Sequence, residues 1–560
     1  MKRIIFIISI ALSLGSCSKS DNSAGSIISP PQPEDFRFTG VNVNGMSGTN
    51  NYQYKDVKTS PLIRLAFTVP VNLSSASSNI VLSDKNNATV ELQYAYANVT
   101  DSTVVEIQTK NKLQNIAAYT LKVAPTLLSQ KGSKLTGTIT VNLITAIDST
   151  DKFAQLSDDA LLDLVQKQTF KYFWDFGHPV SGMARERNTS GDVVTTGGTG
   201  FGVMAMLSAT NRNFISRTDA LTRIDKIVSF LTNNCTRYHG AFAHWINGAT
   251  GVTVPFSTND NGADLVETSF LMEGLLCARQ YFNTADAGEV ALRNKINTLW
   301  NSVEWNWFRQ NDQNTLYWHW SPDKAWIMNM QIAGWNEALI TYVLAASSTN
   351  YSIPKTVYDN GWARSGAMKN GNTYFSVQLP LGPAQGGPLF FTHYSFMGIN
   401  PANLTDAYAN YWTQNVSHTQ INYNYCVVNP QNFNGYSSAC WGLTASDDNA
   451  GYAAHSPTND NGVISPTAAI SSLPYTPVQS MNALKFFYYK LGDKIWGQYG
   501  FTDAFNLNNI WFANSYLAID QGPQIVMIEN YRTGLIWNLF MSCPEIKTGM
   551  KNLGFQSPNL

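Results

Sequence analysis

Acidic residues embedded in apolar sequence are the first candidates for chemistry. In FSTNDNGADLVETSF, Asp260 precedes a Gly turn, and Asp264 and Glu267 fall in the first turn of a predicted helix, where a spacing of three places them on one face. In QIAGWNEALITYV, Glu337 stands alone before an apolar helix, where burial would raise its pKa toward the value that a general acid needs. Hydrolysis of a glycosidic bond requires one protonated carboxyl group and a second group that activates water. The two segments therefore indicate acid–base hydrolysis.

Each of these acids also has a purely structural interpretation. Asp264 and Glu267 suit the capping of a helix and the positive end of its dipole. Glu337 would in that case face solvent at a helix N-terminus. The sequence alone leaves both interpretations open.

Two later segments hold further acids. LTASDDNAGYAAHSP places Asp447, Asp448 and His455 in a loop that contains Gly and Ala, and MIENYRTGL places Glu529 close to Arg532. Adjacent Asp residues often only shape a turn. An ion pair with Arg532 explains Glu529 as well as ligand contact does.

Several familiar cofactor and metal motifs are missing from the sequence. TNDNG occurs at 258–262 and 458–462, which fits either favoured turn chemistry or related loops on one rim, and neither copy completes an EF-hand. There is no HExxH, no GxSxG, and GGTGFG (197–202) lacks the Lys-Ser/Thr of a Walker motif and does not follow a clear strand in a βαβ unit. We therefore expect no metal and no cofactor.

Aromatic residues supply candidate binding surfaces. All fifteen Trp and all seven His lie at or after Trp174, and aromatic faces stack on the C–H faces of sugar rings. Most of these rings belong to the core, and those accompanied by acids or His are favoured for a cleft, Trp326 among them. The predicted substrate-binding residues are Glu267, Trp318, His319, Trp320, Trp335, His393, Tyr394, Trp441, His455, Glu529 and Arg532.

Composition limits the class of partner. The net charge is −1 and only 13% of residues are charged, so nothing favours nucleic acid or an acidic membrane surface. We expect a neutral partner such as a glucan, and a monomer.

The N-terminal sequence resembles a bacterial lipoprotein signal. Residues 1–16 carry a basic start and a short apolar run, and Leu-Gly-Ser-Cys resembles a lipobox that leaves Cys17 acylated. The alternative is an ordinary cleaved signal with an incidental Cys. We expect residues 17–33 to be a lipid-anchored linker and the protein to sit on the outer membrane, facing the periplasm or the cell surface, with the anchor as its only membrane contact. The other five cysteines are an odd set without CxxC spacing, which argues against a disulfide framework.

The rest of the chain divides into two domains. Residues 34–148 show short alternating runs such as LIRLAF and GTITVNLIT, which predict a small all-β sandwich and resemble bacterial immunoglobulin-like modules. We interpret it as a stalk, with carbohydrate binding as the alternative. From 152 to 560 the pattern becomes helical, beginning at SDDALLDLVQKQTFKYFWDF with Ser157 as a cap. Long loops such as YWHWSPDKAW (317–326) join the helices and must position the acids.

The helical part resembles a known family. The segments GGTGFGVMAM, NDNGADLVETSFLMEGLLCARQYF, LYWHWSPDKAWIMN, GGPLFFTHYSFMG, WGLTASDDNAGY and AIDQGPQIVMIENYRTGLIW resemble the bacterial family long labelled putative glucoamylase, which includes the endo-β-1,2-glucanases of glycoside hydrolase family 144. The resemblance spans residues from about 155 to about 555. It implies an (α/α)6 toroid with a pocket at one end, and an inverting attack on β-1,2-glucan that releases sophorose or short sophoro-oligosaccharides.

The resemblance also implies roles for particular acids. The essential acids of the family correspond to Asp260, Asp264 and Glu337, with Glu337 as the general acid. Asp264 or Asp447 would handle the water, and Asp260 would position the sugar. Two alternatives stay open: hydrolysis of another glucan on the same fold, and a surface glycan-binding lipoprotein without turnover.

Overall fold

The computed structural model describes residues 34–47 and 51–560 of the 560-residue chain. The predicted signal peptide, Cys17 and the linker to residue 33 lie outside the described residues. The described residues form two compact units, one made of residues within 34–54, 60–112 and 119–142, and the other of 55–59, 113–118 and 143–560. Among the described helices, none combines the length and the apolar character that a membrane span requires.

The first unit is built on two five-stranded sheets, in the orders β2-β1-β4-β8-β7 and β3-β10-β9-β5-β6. One short helix, α1 (Ala76–Asn79), accompanies them. The strands are β1 (Phe38–Val43), β2 (Met46–Ser47), β3 (Gln53–Val57), β4 (Leu62–Phe67), β5 (Ile80–Asp84), β6 (Thr89–Val90), β7 (Leu92–Asn98), β8 (Asp101–Thr109), β9 (Ala118–Val123) and β10 (Ile139–Thr145).

Alternation along β4 shows why these residues form sheets. Ile63 and Leu65 are buried, whereas Arg64 between them points outward and pairs with Glu106, its partner in register on β8, at 3.0 Å. The hydroxyl of Tyr94 on β7 donates to the carbonyl of Ile80 on β5, which links the two sheets. The predicted all-β character of this part of the chain is confirmed.

The second unit is mainly helical. Its helices are α2 (Asp158–Trp174), α3 (Thr196–Asn211), α4 (Arg217–Asn233), α5 (Leu265–Tyr281), α6 (Ala287–Asn301), α7 (Leu339–Ser347), α8 (Lys355–Val357), α9 (Tyr411–Val428), α10 (Pro466–Ile470), α11 (Pro477–Ile495), α12 (Ala518–Thr533), α13 (Leu535–Met541) and α14 (Pro544–Leu553). Short 3-10 turns occur at Leu73–Ser75 in the first unit and, in the second, at Trp305–Arg309, Arg364–Gly366, Ala384–Gly386 and Leu389–Thr392, with one π-turn at Tyr358–Trp362.

Short strands lie in the loops of this unit, in one three-stranded sheet and six two-stranded ones. They are β11 (Val193–Thr195), β12 (Trp245–Asn247), β13 (Thr253–Val254), β14 (Ala263–Asp264), β15 (Leu316–Tyr317), β16 (His319–Trp320), β17 (Gln331–Ile332), β18 (Thr373–Tyr374), β19 (Val377–Gln378), β20 (Ala445–Asp448), β21 (Gly451–Ala454), β22 (Trp496–Gly497), β23 (Gly500–Phe501), β24 (Phe505–Asn506) and β25 (Trp511–Phe512). The pairing of β14 with β16 matters most for the site, because it sets Asp264 opposite His319.

Helix ends follow local chemistry where the sequence carries a cap. The hydroxyl of Ser157 accepts the backbone N–H of Ala160 at the start of α2, as predicted. The segment GPQIVMIENYRTGLIWNLFM forms two helices, because Gly534 takes a left-handed conformation, with φ at 69°, and separates α12 from α13. The sequence analysis also missed α3, whose first turns contain GGTGFG.

Glycines let α3 and α5 pack with their backbones in contact. A Cβ added to Gly200 would lie 2.1 Å from the carbonyl oxygen of Phe270, and one added to Gly274 would lie 2.2 Å from that of Gly200. This close approach brings the N-terminus of α3 against Glu267 on α5, whose carboxylate accepts the backbone N–H of Gly197 at 2.7 Å. The glycine-rich segment therefore positions a predicted site residue.

Candidate active site

A cavity of about 380 Å³ opens among the loops of the helical unit. Four of the predicted site residues line it: Glu267, Trp318, Glu337 and Tyr394. The remaining lining residues are Glu186, Arg187, Thr195, His244, Trp245, Phe256, Phe270, Phe390, Ala445, Tyr452, Leu517 and Ile519. A second cavity of about 620 Å³ includes Asp447 and shares Arg187 and Tyr452 with the first. The two cavities are therefore neighbours along one wall.

Both oxygens of the Asp264 carboxylate hold this residue at the centre of the acid cluster. As the N-cap of α5, it accepts the backbone N–H of Glu267 at Oδ1, at 2.9 Å. Its Oδ2 lies 3.0 Å from Nδ1 of His244, and the residue is completely buried. The structural interpretation of Asp264 as a helix cap is thus confirmed, and its second carboxylate oxygen also faces His244.

Two histidines bridge the acids of this cluster. His244 faces Asp264 through Nδ1, and its Nε2 lies 4.0 Å from Oε1 of Glu267. Nε2 of His319 lies 3.4 Å from Asp260 Oδ2 and 3.7 Å from Asp264 Oδ2. The structure therefore brings together the predicted Asp260, Asp264, Glu267 and His319, and adds His244.

Charge balance in the cluster sets its protonation. Burial opposes a charge on His244, but Glu267, Asp264 and Asp260 outweigh it and raise the pKa of His244 to about 9. Burial likewise opposes a charge on Asp264, yet the hydrogen bond from His244 and the proximity of His319 hold its pKa below the ordinary value. At neutral pH, His244 and Asp264 form a buried ion pair.

Glu267 and Asp260 shift in the opposite direction. Burial raises the pKa of both carboxyl groups, and repulsion by Asp264 adds to the effect. Glu267 is steadied by the N–H of Gly197 at 2.7 Å and by the hydroxyl of Thr195 at 3.3 Å. It is the member of the cluster that combines a carboxylate with a position on the cavity wall.

Glu337 lies in the turn directly before α7 and faces the same cavity, half-buried. The turn is fixed by Asn336, whose side chain accepts the N–H of Ala338 at 2.9 Å, and by the hydroxyl of Ser395, which donates to the carbonyl of Glu337. Burial raises the pKa of Glu337 to about 7, helped by the negative charges of Asp264 and Glu267. A carboxyl group with this pKa can donate a proton near neutral pH.

Asp447 sits in a different electrostatic setting, on the wall of the second cavity. Both of its carboxylate oxygens accept from Nη1 of Arg187 at 3.1 Å, and Oδ2 also accepts from the hydroxyl of Ser515 at 2.6 Å. Nε of Arg187 donates to Glu186 at 2.9 Å, so a single guanidinium serves two carboxylates. The acceptor sites of Asp447 are already largely used.

Two further buried acids stand behind Asp447. Oδ2 of Asp503 accepts the backbone N–H of Asp447 at 2.6 Å. Burial raises the pKa of Asp503 to about 7 and places that of Asp520 well above the ordinary value, and the repulsion between the two carboxylates adds to the shift of Asp520. Two neighbouring carboxyl groups with raised pKa values keep at least one proton at neutral pH. Sequence reasoning missed both residues, because their interactions with Asp447 and with each other join segments that are distant in the chain.

The other predicted aromatic and histidine residues lie away from the cavity wall. Trp441 is fully buried and donates its N–H to the carbonyl of Gln479 at 3.3 Å, and Trp335 packs against Trp362 in the core. Nε2 of the buried His393 contacts the hydroxyl of Ser472 at 3.0 Å. His455 is also buried, with Nε2 3.8 Å from Asp448.

Glu529 and Arg532 do not pair with each other. The carboxylate of Glu529 is fully buried and binds Nε of Arg212 at 2.7 Å, while Arg532 binds Asp163. The alternative explanation of Glu529 therefore named the wrong arginine. Neither residue borders either of the two cavities.

Trp320 belongs to an aromatic group beside the acid cluster. The ring of His239 stacks on Trp307 with centroids 3.4 Å apart, and Trp307 stacks on Trp326 at 4.8 Å. Trp320 meets Trp307 edge-on at 5.3 Å. Two rings that the sequence analysis did not select, Trp245 and Phe256, lie on the cavity wall itself, and Phe256 is 4.4 Å from His244.

The five cysteines among the described residues are all free.

Comparison with known proteins agrees with these observations. The Glycoamylase family model, described as putative glucoamylase, matches residues 329–544. An exo β-1,2-glucooligosaccharide sophorohydrolase (non-reducing end) from Parabacteroides distasonis is 46% identical over 421 residues, which cover 71% of this chain. This chain spans 58% of the length of that relative.

Solved structures extend the comparison. The endo-β-1,2-glucanase from Chitinophaga pinensis, in complex with sophorotriose and glucose, is 51% identical with a TM-score of 0.71, over 72% of this chain and 100% of that one. A putative glucoamylase from Bacteroides uniformis is 56% identical with a TM-score of 0.72, over 73% of this chain and 100% of that one. Because this identity extends over the whole of the Bacteroides protein, the chain belongs to the glycoamylase family.

Proposed function

We propose that this protein is a glycoside hydrolase that cleaves β-1,2-glucan and inverts the anomeric centre. The observation that carries the proposal is the division of protonation states around one cavity, where Glu337 has a pKa of about 7 and Asp264 stays ionised beside His244. Glu337 and Glu267 both border this cavity. The β-1,2 linkage of the substrate is proposed from the relatives that act on β-1,2-glucan.

Glu337 acts as the general acid. Its protonated carboxyl group donates a proton to the glycosidic oxygen as the bond to C1 breaks, and burial keeps that proton in place near neutral pH. The hydroxyl of Ser395 donates to the backbone carbonyl of Glu337, so the turn before α7 holds the Glu337 side chain in a fixed direction.

Water activation belongs to the cluster of Asp264, His244 and Glu267. Glu267 reaches the cavity wall, whereas Asp264 is fully buried and supports it through the N-cap hydrogen bond and through His244. Asp447 is less suited to take a proton from water, because Arg187 and Ser515 already occupy its oxygens. We assign Asp447 to the positioning of Arg187 on the wall that both cavities share.

The cavity surface suits a neutral sugar chain. Trp245, Phe256, Trp318, Tyr394 and Tyr452 present aromatic side chains along the wall. Aromatic faces bury the C–H faces of pyranose rings, and the few polar groups between them fix orientation. The substrate is therefore a glucan oligosaccharide or polysaccharide.

Product analysis tests the proposal. The chain lacking residues 1–17 is incubated with linear β-1,2-glucan, amylose and laminarin, and the products are separated by chromatography while NMR follows the anomer first released. We expect sophorose or short sophoro-oligosaccharides from β-1,2-glucan alone, with the α-anomer appearing first. If the protein cleaves only another glucan, the proposed substrate is wrong. If it binds a glucan without cleaving it, the protein is a glycan-binding protein.

The finer architecture and the location belong to the same proposal. We infer an (α/α)6 toroid for the helical unit and an immunoglobulin-like module for the two-sheet unit, in a monomer tethered to the outer membrane through acylated Cys17. The LGSC sequence and the short apolar run before it support the anchor. Radiolabelled palmitate should enter the wild-type protein in cells and be absent from the Cys17→Ala variant.

A further inference from the structure

Two imidazoles and two carboxylates converge on one point beside the cavity. One ligand atom from each of His244, Asp260 and Asp264 fits within a group whose members lie no more than 4.8 Å apart. His319 joins this group, with Nε2 3.4 Å from Asp260 and 3.7 Å from Asp264. A tetrahedral zinc ion with bonds of about 2.0–2.2 Å keeps its ligand atoms ~3.4 Å apart. The two distances from His319, 3.4 and 3.7 Å, are close to that edge length.

His319 is the least satisfied member of the group. It is 9% exposed, its Nδ1 has no hydrogen-bond partner among the described residues, and its Nε2 faces the two carboxylates without hydrogen-bond geometry. Buried polar side chains normally make hydrogen bonds, so an imidazole in this state requires an explanation. An ion held between Nε2 of His319 and the two aspartates would engage the nitrogen that meets the carboxylates only at 3.4 and 3.7 Å.

We propose that His244, His319, Asp260 and Asp264 form a binding site for a divalent transition-metal ion of the Zn²⁺ class, and that occupancy of this site inhibits the enzyme. The mixed nitrogen and oxygen donors favour such an ion over Ca²⁺ or Mg²⁺, which prefer six or more oxygen ligands. Strand pairing holds the set together, since β14 and β16 place Asp264 directly opposite His319.

Inhibition follows from the shared ligands. A bound ion would displace the proton that His244 carries at neutral pH and draw Asp264 and His244 away from Glu267, the acid on the cavity wall with which both interact. The group that activates water would then be locked in coordination bonds. The inhibition rests on the proposed hydrolase activity, whereas the binding itself does not.

Metal binding is measured first, without substrate. The chain lacking residues 1–17 is treated with a chelator and dialysed, then titrated with Zn²⁺ by calorimetry and with Co²⁺ while its visible d–d absorption is recorded. We expect one ion per chain and an absorption band typical of tetrahedral coordination. His319→Gln and Asp260→Asn should each weaken binding at least tenfold, roughly the lower loss expected when a ligand is removed.

The matched control is His239→Gln. His239 lies 2.8 Å from Glu304 in a histidine–carboxylate pair that has only two members, so this variant should bind Zn²⁺ as the wild type does. Circular dichroism and thermal melting establish that the variants are folded. The two ligand residues lie on different elements, so if one variant fails to fold, the other still tests the site. Absence of binding, or binding unchanged in both ligand variants, would overturn the site.

Activity is measured second. Micromolar Zn²⁺ should slow cleavage of β-1,2-glucan by the wild type and leave a residual rate in His319→Gln unaffected. Binding without any loss of rate would overturn the inhibitory role. If the metal-free enzyme cleaves no glucan, the proposed hydrolase function fails, while the calorimetric result still decides the metal site.

Discussion

Two groups of buried acids border the neighbouring cavities, and they are balanced in different ways. In the group around Asp264, two histidines lie among the carboxylates. In the group around Asp447, one arginine serves both Asp447 and Glu186, and the buried Asp503 and Asp520 lie behind it with raised pKa values. Both groups take several acids out of water, which costs desolvation free energy.

The difference lies in whether the balancing charge can move. Arginine keeps its proton at all accessible pH values, whereas a histidine can lose its proton within the accessible range, as His244 does with its pKa of about 9. The Asp264 group can therefore exchange protons with a substrate or a water molecule, while the Asp447 group holds a fixed charge. Glu337 is coupled electrostatically to the Asp264 group, because the negative charges of Asp264 and Glu267 help to raise its pKa.

Replacement of the acid should give the largest effect. Glu337→Gln keeps the shape of the side chain but cannot donate a proton, so kcat on β-1,2-glucan should fall by about 10²–10⁴-fold. The same change at Asp447, in the fixed-charge group, should cost clearly less. Initial rates of both variants, with melting temperatures as a folding control, test the contrast. An Asp447→Asn defect as large as that of Glu337→Gln would place the chemistry at the second cavity.

The pH profile is the next test. Since Glu337 must be protonated to act and its pKa is about 7, kcat/KM should fall as pH rises through about 7. Glu267, the carboxyl group on the cavity wall, must be ionised to activate water, and burial raises its pKa, so the acid limb should lie above the ordinary range of a carboxyl group. Measurement between pH 4 and 9 on β-1,2-glucan checks both limbs. A rate that stays constant up to pH 9 would exclude Glu337 as the proton donor.

Removal of the fixed charge should have a smaller effect on rate. Arg187→Gln leaves Glu186 and Asp447 facing each other without a cation on the wall common to both cavities. Loss of one hydrogen-bonded charge costs about 1.5–3 kcal/mol, so KM should rise about tenfold or more while kcat changes little. Steady-state kinetics separates the two quantities. A fall in kcat with unchanged KM would show that Arg187 acts in the chemical step.

Part of this contrast could be predicted from the sequence. Asp264 and Glu267 are three residues apart, and the same spacing that predicts one helix face also generates the N-cap hydrogen bond. Glu337 stands alone in apolar sequence, which is the local signal of a desolvated carboxyl group. Ser157 marks the start of α2 for a similar reason, since a cap needs only its own neighbours.

The remaining features depend on contacts between distant segments. Arg187 and Asp447 are 260 residues apart in the chain. His244, directly before β12, contacts Asp264 from 20 residues away. GGTGFG has poor helix propensity, yet α3 forms because its glycines allow close packing against α5. Trp335 and Trp441 carry acidic neighbours in sequence but lie in the core, because proximity along the chain does not decide which face of an element is buried.

The smallest effect on rate is expected from Asp503→Asn, and it tests the proton that Asp503 and Asp520 keep. An Asn amide can donate to Asp520 as the protonated acid does, and its oxygen can still accept the N–H of Asp447. Activity should therefore remain within about threefold of the wild type, since no charge near the first cavity changes.

Stability carries the sharper signal for this variant. The pKa of Asp503 is raised from 3.8 to about 7, so the folded protein keeps a proton that the unfolded chain loses, and wild-type stability should fall as pH rises through that window. Asn has no such proton, so Asp503→Asn should melt at a higher temperature than the wild type above pH 7 and lose this advantage below pH 4. Melting curves of both proteins across pH 4–9 decide the matter. A constant difference at every pH would mean that Asp503 and Asp520 hold no extra proton, and that the second group of acids is balanced by Arg187 alone.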